Sequence, residues 1–128
     1  MDSQQDAEKE FLAGIDLGEQ GDLSEALKRF KKSTQLHAQD PRYWMALGHC
    51  LLELKHWSEA EKALKTAIEL KPHYAEADMR VFLGEALIKL GKKKEAITQW
   101  QYVINMEPCY PGFKQPMEEA KKRMEECK

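Results

Sequence analysis

Four histidines and three cysteines are the residues of this 128-residue chain that could ligate a metal or attack an electrophile. His37, His49, His56 and His73 are separated by 12, 7 and 17 residues, and none forms an i, i+4 pair with Glu or Cys in a recognised metal arrangement. His49 beside Cys50 invites a base-and-nucleophile reading, but adjacent residues of a helix point in different directions. Cys50 reads instead as a small core thiol. There is no glycine-rich phosphate loop and no nucleophile elbow. The chemistry-bearing residues therefore lead to an expectation of no catalysis, no cofactor and no metal. Cys109 and Cys127 are expected to be more exposed than Cys50, with any oxidation incidental. An odd cysteine count without a close-spaced pair argues against a disulfide framework and fits a reducing compartment.

The elements that hold these residues follow from composition. Ala, Glu, Lys, Leu and Arg make up 63 of the 128 residues, the composition of packed long helices, so an all-α chain is expected. Twenty basic against 22 acidic residues, a net charge of −2, leave no basic footprint for phosphates and exclude nucleic acid as the partner. Apolar runs are only a few residues long, and Met1–Asp6 is polar and acidic where a signal peptide would be basic and then apolar. The expected protein is cytoplasmic, with no membrane insertion.

The sequence also repeats. Gly14 and Gly48, Leu17 and Leu51, Ala26 and Ala60, and Phe30 and Leu64 share an offset of 34 residues. Leu47 and Leu83, Gly48 and Gly84, Leu51 and Leu87, Ala60 and Ala96, and Pro72 and Pro108 share an offset of 36. The second unit reads Trp44-x-x-Leu47-Gly48-x-x-Leu51, then Ala60-x-x-x-Leu64, Ala67 and Pro72, which resembles the tetratricopeptide repeat. The resemblance covers residues 7–110 as units 7–40, 41–74 and 77–110, with a two-residue insertion at 75–76, a tail at 1–6 and a capping segment at 111–128. It implies a right-handed α-solenoid of antiparallel hairpins. Glu10 departs from it, standing where the family has Trp or another large apolar residue.

Gly14, Gly48 and Gly84 with Ala26, Ala60 and Ala96 are small enough to let the two helices of a hairpin approach closely. Asp40-Pro41 reads as an N-cap and first helical position; Asp22 with Glu25, or Ser24 and Ser58, can cap the second helices, and Pro72 and Pro108 stop them. Met117, Ala120, Met124 and Cys127 form one helical stripe behind Phe113, a pattern suited to capping the end of a solenoid. Seven helices are expected. Trp44, Trp57 and Trp100 read as core, and Lys92-Lys93-Lys94 as a solvated turn.

The resemblance implies that each unit's first helix lines the concave face. The inward positions are Glu8, Phe11, Ile15, Gly18 and Glu19; then Arg42, Met45, His49, Leu52 and Glu53; then Asp78, Val81, Glu85, Ile88 and Lys89; Leu12, Ala46 and Phe82 flank them. The candidate groove is Phe11, Ile15, Arg42, Met45, His49, Leu52, Val81, Phe82, Glu85, Ile88 and Lys89. In the subclass that grips the C-terminal carboxylate of heat-shock chaperones, the clamp positions match Phe11, Ile15, Ala46, Asp78 and Phe82, none a charged donor, so that partner is excluded. The expected function is a non-catalytic adaptor or scaffold binding a peptide, helix or protein in a largely apolar groove. Half-buried beforehand, the apolar stripe offers ~5–10 kcal/mol against roughly 4–15 kcal/mol for association, which suits micromolar affinity. A self-associating homo-oligomer and a client binder resembling type III secretion chaperones are the alternatives.

Overall fold

The computed structural model describes residues 3–72, 75–107 and 112–127. The expectations placed on His73, Pro108 and Cys109 lie outside the described residues. Among the described residues seven helices run α1 (Ser3–Glu19), α2 (Leu23–Leu36), α3 (Pro41–Glu53), α4 (Trp57–Glu69), α5 (Glu76–Lys89), α6 (Lys93–Ile104) and α7 (Lys114–Glu126). Ser3–Asp6, expected as a tail, belong to α1: the stretch contains no Gly, Pro or β-branched residue to stop a helix running back past Ala7.

Each hairpin turns by one device. Gly21, Lys55 and Gly91 occupy equivalent places and take left-handed backbones, with φ of 85°, 65° and 78°. The following residue donates its N–H to a carbonyl five positions back: Asp22 to Leu17 at 2.9 Å, His56 to Leu51 at 2.8 Å and Lys92 to Leu87 at 2.8 Å. These bonds satisfy carbonyls that the ends of α1, α3 and α5 would otherwise leave open. Lys55 does this without glycine's tolerance of positive φ. Asp22 accepts from the Glu25 N–H at 3.2 Å, and Asp40 from the Arg42 N–H at 2.9 Å with Pro41 in the first turn. Ser24 and Ser58 lie within α2 and α4, and His56, at the N-cap of α4, makes no side-chain capping bond.

The hairpins are closed by the expected small residues. A Cβ on Gly14 would stand 2.6 Å from Phe30, and one on Gly48 2.7 Å from Leu64; on Gly84 it would collide with the Trp100 indole. Ala26, Ala60 and Ala96 are wholly buried. One slot between the paired helices is filled three ways. Glu10 is held by Arg29 at 3.0 Å and Lys32 at 3.4 Å, which accounts for its polar character. At the equivalent place Trp44 donates its indole N–H to the Ala38 carbonyl at 2.8 Å. In the third hairpin Arg80 pairs with Glu76 and Gln99 and lies 3.8 Å from the centre of the Tyr102 ring. Of the three tryptophans only Trp100 is buried; Trp44 and Trp57 are half-buried against the core.

Along the stack the backbones of α1 and α3, of α3 and α5 and of α5 and α7 come close, whereas among the described residues those of α2, α4 and α6 do not, Lys31 of α2 reaching Glu59 of α4 only through a long side-chain ion pair at 3.9 Å. Each even helix instead wedges between consecutive odd ones, so the outer layer is splayed and the odd helices form the inner face. The result is a helical solenoid. α7 packs on α5 and α6 as a further odd helix would; Phe113 and Ala120 are buried, and Met117, Met124 and Cys127 pack on the core. No helix is long and apolar enough to cross a membrane among the described residues.

Candidate binding groove

The eleven candidate residues divide into those left at least partly exposed and those the packing consumes. Leu52 and Val81 are buried, 5% and 7% exposed, and belong to the core between hairpins. Phe11 is half-buried in an aromatic cluster, its ring 5.1 Å from Tyr43 and 6.2 Å from Phe30. Arg42 caps that cluster, 5.2 Å from the Phe11 ring centre. Its guanidinium is already committed: Nη2 lies 2.7 Å from Glu8 and 2.8 Å from Asp40. The Tyr43 hydroxyl donates to the same Glu8 at 2.7 Å. This network joins α1 to α3.

Its electrostatics follow from those bonds. The Tyr43 and Arg42 hydrogen bonds hold the Glu8 carboxyl below the usual carboxylate range. Burial pushes Asp40 up, but the Arg42 side chain and N–H outweigh it and leave Asp40 lowered too. Burial, then the bond to Glu8, raises the Tyr43 phenol. Arg42 thus serves the fold at this end of the groove.

The middle of the face is apolar and half-open. His49 stacks on Phe82 at 4.7 Å with the rings 30° apart, and its Nδ1 lies 3.3 Å from Glu53. Met45 packs on Ala67, Ala75 and Met79. Ile15 is 36% exposed and Leu12, beside it on α1, 54%. Towards the C-terminal end, Glu85 is joined by Gln115, Pro116, Glu119 and Arg123 of α7 around a recess of about 260 Å³ between α5 and α7. The α7 contribution was not foreseen, because the segment's stripe marks it as a cap; the signal was there in its place after three hairpins, which makes it the next inner-layer helix. Ile88 and Lys89 border a further recess of about 220 Å³ with Trp100 and Cys127.

A third recess, about 290 Å³, opens between the first two hairpins. Ile15, Gly18, Leu23, Phe30 and Ala46 line it, with Glu19, His49 and Glu53 among its polar groups. Cys50 lies at the same place, buried, its thiol 3.5 Å from the Leu23 carbonyl and pushed up to about 11, first by burial and then by Glu53. A protonated buried thiol beside an outward-facing histidine is not a nucleophile-and-base pair. Lys92, expected as solvated, reaches Glu61 of α4 at 3.0 Å; Lys65 also holds that carboxyl at 2.7 Å. Lys93 and Lys94 are exposed. Among the described residues no three His, Cys, Asp or Glu side chains are grouped to hold a metal ion.

Two family models match, both described as tetratricopeptide repeat, over residues 18–78 and 54–105. The chain is a tetratricopeptide-repeat protein. Solved repeat structures share its fold. The structure of a type III secretion complex from Aeromonas hydrophila superposes with a TM-score of 0.81 at 18% identity, covering 94% of this chain and 79% of that one. PcrH in complex with the chaperone binding region of PopD gives 0.80 at 18% identity, covering 93% and 88%. The first repeat domain of Spaghetti (RPAP3), bound to an HSP90 peptide, gives 0.75 at 20% identity, covering 95% and 98%. No curated protein matches the sequence. At these identities the likeness is one of fold, and the tetratricopeptide fold is generally used for protein interaction and is generally non-catalytic.

Proposed function

We propose that this tetratricopeptide-repeat protein is a non-catalytic adaptor that holds a segment of another polypeptide against the inner face formed by α1, α3, α5 and α7. The observation that carries the reading is that the partly exposed apolar side chains Ile15, Phe82 and Ile88 each border a recess that neighbouring helices leave unfilled. Apolar surface of this kind gains by being covered. Among the similar structures, the Spaghetti domain is bound to a peptide and PcrH to a region of PopD, which supports the same use of this fold.

The chemistry disfavours a chaperone's C-terminal carboxylate as the ligand. Phe11, Ile15, Ala46, Asp78 and Phe82 stand at the five clamp positions, and none brings a charged donor. With Leu52 and Val81 withdrawn into the core, the available apolar area is smaller than the sequence suggests, and the affinity expected from apolar contact is micromolar or weaker. The exposed Leu12 at the open edge of α1 favours a second reading, association of two copies through that edge.

Met45→Asp with Phe82→Asp tests the adaptor reading. Partner capture by pull-down is expected to be lost while the circular dichroism of the helices is retained; unchanged capture by the double variant overturns it. Sedimentation over a range of concentrations decides the second reading, and a monomer throughout removes it.

A further inference from the structure

The junction between hairpins one and two and that between hairpins two and three are built from equivalent positions, yet only the first is open. Gly18 corresponds to Leu52 and Ala46 to Phe82, by the 34- and 36-residue offsets of the repeat. At the second junction Leu52 is buried at 5% exposure and Phe82 stacks on His49. At the first, Gly18 has no atom within 4 Å of where its Cβ would be, and the recess of about 290 Å³ lies between Gly18, Ala46, Ile15 and Phe30. Two large apolar side chains that complete one junction are missing from the other.

Two carboxylates, Glu19 and Glu53, border the recess together with His49. Glu19 has no cation within ion-pair distance among the described residues, and Glu53 is approached only by His49. Resting on the adaptor reading, we infer that this recess is a socket for one large apolar side chain, of Leu or Phe size, from a bound peptide whose neighbouring residues are Lys or Arg. The apolar side chain takes the place that Leu52 and Phe82 fill at the next junction, and the flanking cations face Glu19 and Glu53. Charge complementarity favours this occupant over an acidic segment and fixes the peptide's chemistry on both sides of the anchor.

The test uses the full chain labelled with ¹⁵N and three synthetic peptides in a Gly/Ser background: Leu flanked by two lysines, Ala flanked by two lysines, and Leu flanked by two glutamates. Amide shifts are expected at Gly14, Gly18 and Ala46 with the first peptide. Replacing its Leu by Ala is expected to weaken binding about ten-fold or more. Exchanging its lysines for glutamates, or introducing Glu19→Gln with Glu53→Gln, is expected to weaken it by about two- to five-fold for each ion pair removed. Gly18→Leu and Ala46→Phe, made singly and together, are expected to abolish these shifts, and Gly18→Leu to raise the melting temperature by filling the recess. Shifts that persist in the filled variants, equal binding of the Ala peptide, or no binding of the first peptide to wild type each overturn the socket. If any of these occurs while Met45→Asp with Phe82→Asp still loses its partner, only the socket is rejected and the adaptor reading stands.

Discussion

The second and third hairpins meet across a filled junction, and the first and second across an open one. The backbones repeat, the same left-handed turn joins the helices of each hairpin, and a glycine seats the paired helix in each. What differs is side-chain volume at two inner-face positions, Leu52 and Phe82 against Gly18 and Ala46. The polar ties differ as well. Glu61 and Lys92 bridge the closed junction at 3.0 Å, whereas Glu8 and Arg42 bridge the open one at its far end, away from the recess. A repeat protein can therefore keep its stacking geometry and still vary receptivity from one junction to the next, because stacking is secured by the helix-pair contacts while the inner-face side chains remain free to fill or vacate the seam.

The sharpest contrast sets a methyl group in the close-packed glycine seat that every hairpin shares against one at the open junction. Gly84→Ala forces a Cβ into the buried Trp100 indole and is expected to destabilise by about 1–3 kcal/mol in urea unfolding, overpacking outweighing the gain in helix propensity. Gly18→Ala meets empty space and is expected to stabilise by up to about 1 kcal/mol. Equal effects would show that the seat within the hairpin relaxes as easily as the open junction.

Acid probes the ties across both junctions. Glu8 is held below the ordinary range by Tyr43 and Arg42, and Glu61 by Lys65 and then Lys92 against the opposing effect of burial. A carboxyl lowered in the folded state contributes its full stabilisation above the unfolded value of about 4.3, and that contribution is lost as pH falls through the lowered folded value. Melting temperature is expected to be flat on this account from pH 7 to about 5 and to decline below it. Glu61→Gln should flatten the decline from the closed junction and Glu8→Gln that from the open one; a fall already present between pH 7 and about 5 would contradict the assignment.

The smallest effect is expected at the turns, which are alike on both sides of the comparison. Lys55 holds φ of 65° where its equivalents are Gly21 and Gly91. Lys55→Gly is expected to stabilise by about 0.5–1 kcal/mol, relief of left-handed strain exceeding the added freedom of the unfolded chain. An unchanged urea midpoint would show that Lys55 bears no such strain.

Much of the architecture was legible in particular residues. The spacing of Gly14, Gly48 and Gly84 located the helix contacts, Asp40-Pro41 the start of α3, and Met117, Ala120 and Met124 the face that α7 buries. The groove was less legible. Leu52 and Val81 share repeat positions with Gly18 and Met45, yet they are buried, because their exposure depends on how far each hairpin is rotated against the next. Arg42 looked like a groove cation and is spent on Glu8 and Asp40. Gly18 and Ala46 carried a readable signal when set against Leu52 and Phe82, but a missing side chain has no chemistry of its own to draw attention.

By itself, the sequence determined the repeat, the helices and the small residues that pair them, since these depend on local periodicity and on contacts made at the same offset in every hairpin. Only the tertiary structure decided which inner-face side chains stay accessible, which cations are already neutralised and which junction is left open. Those outcomes depend on how helices distant in the chain are rotated and spaced against one another, and a change of one side chain's volume at that seam is enough to turn a closed contact into a recess.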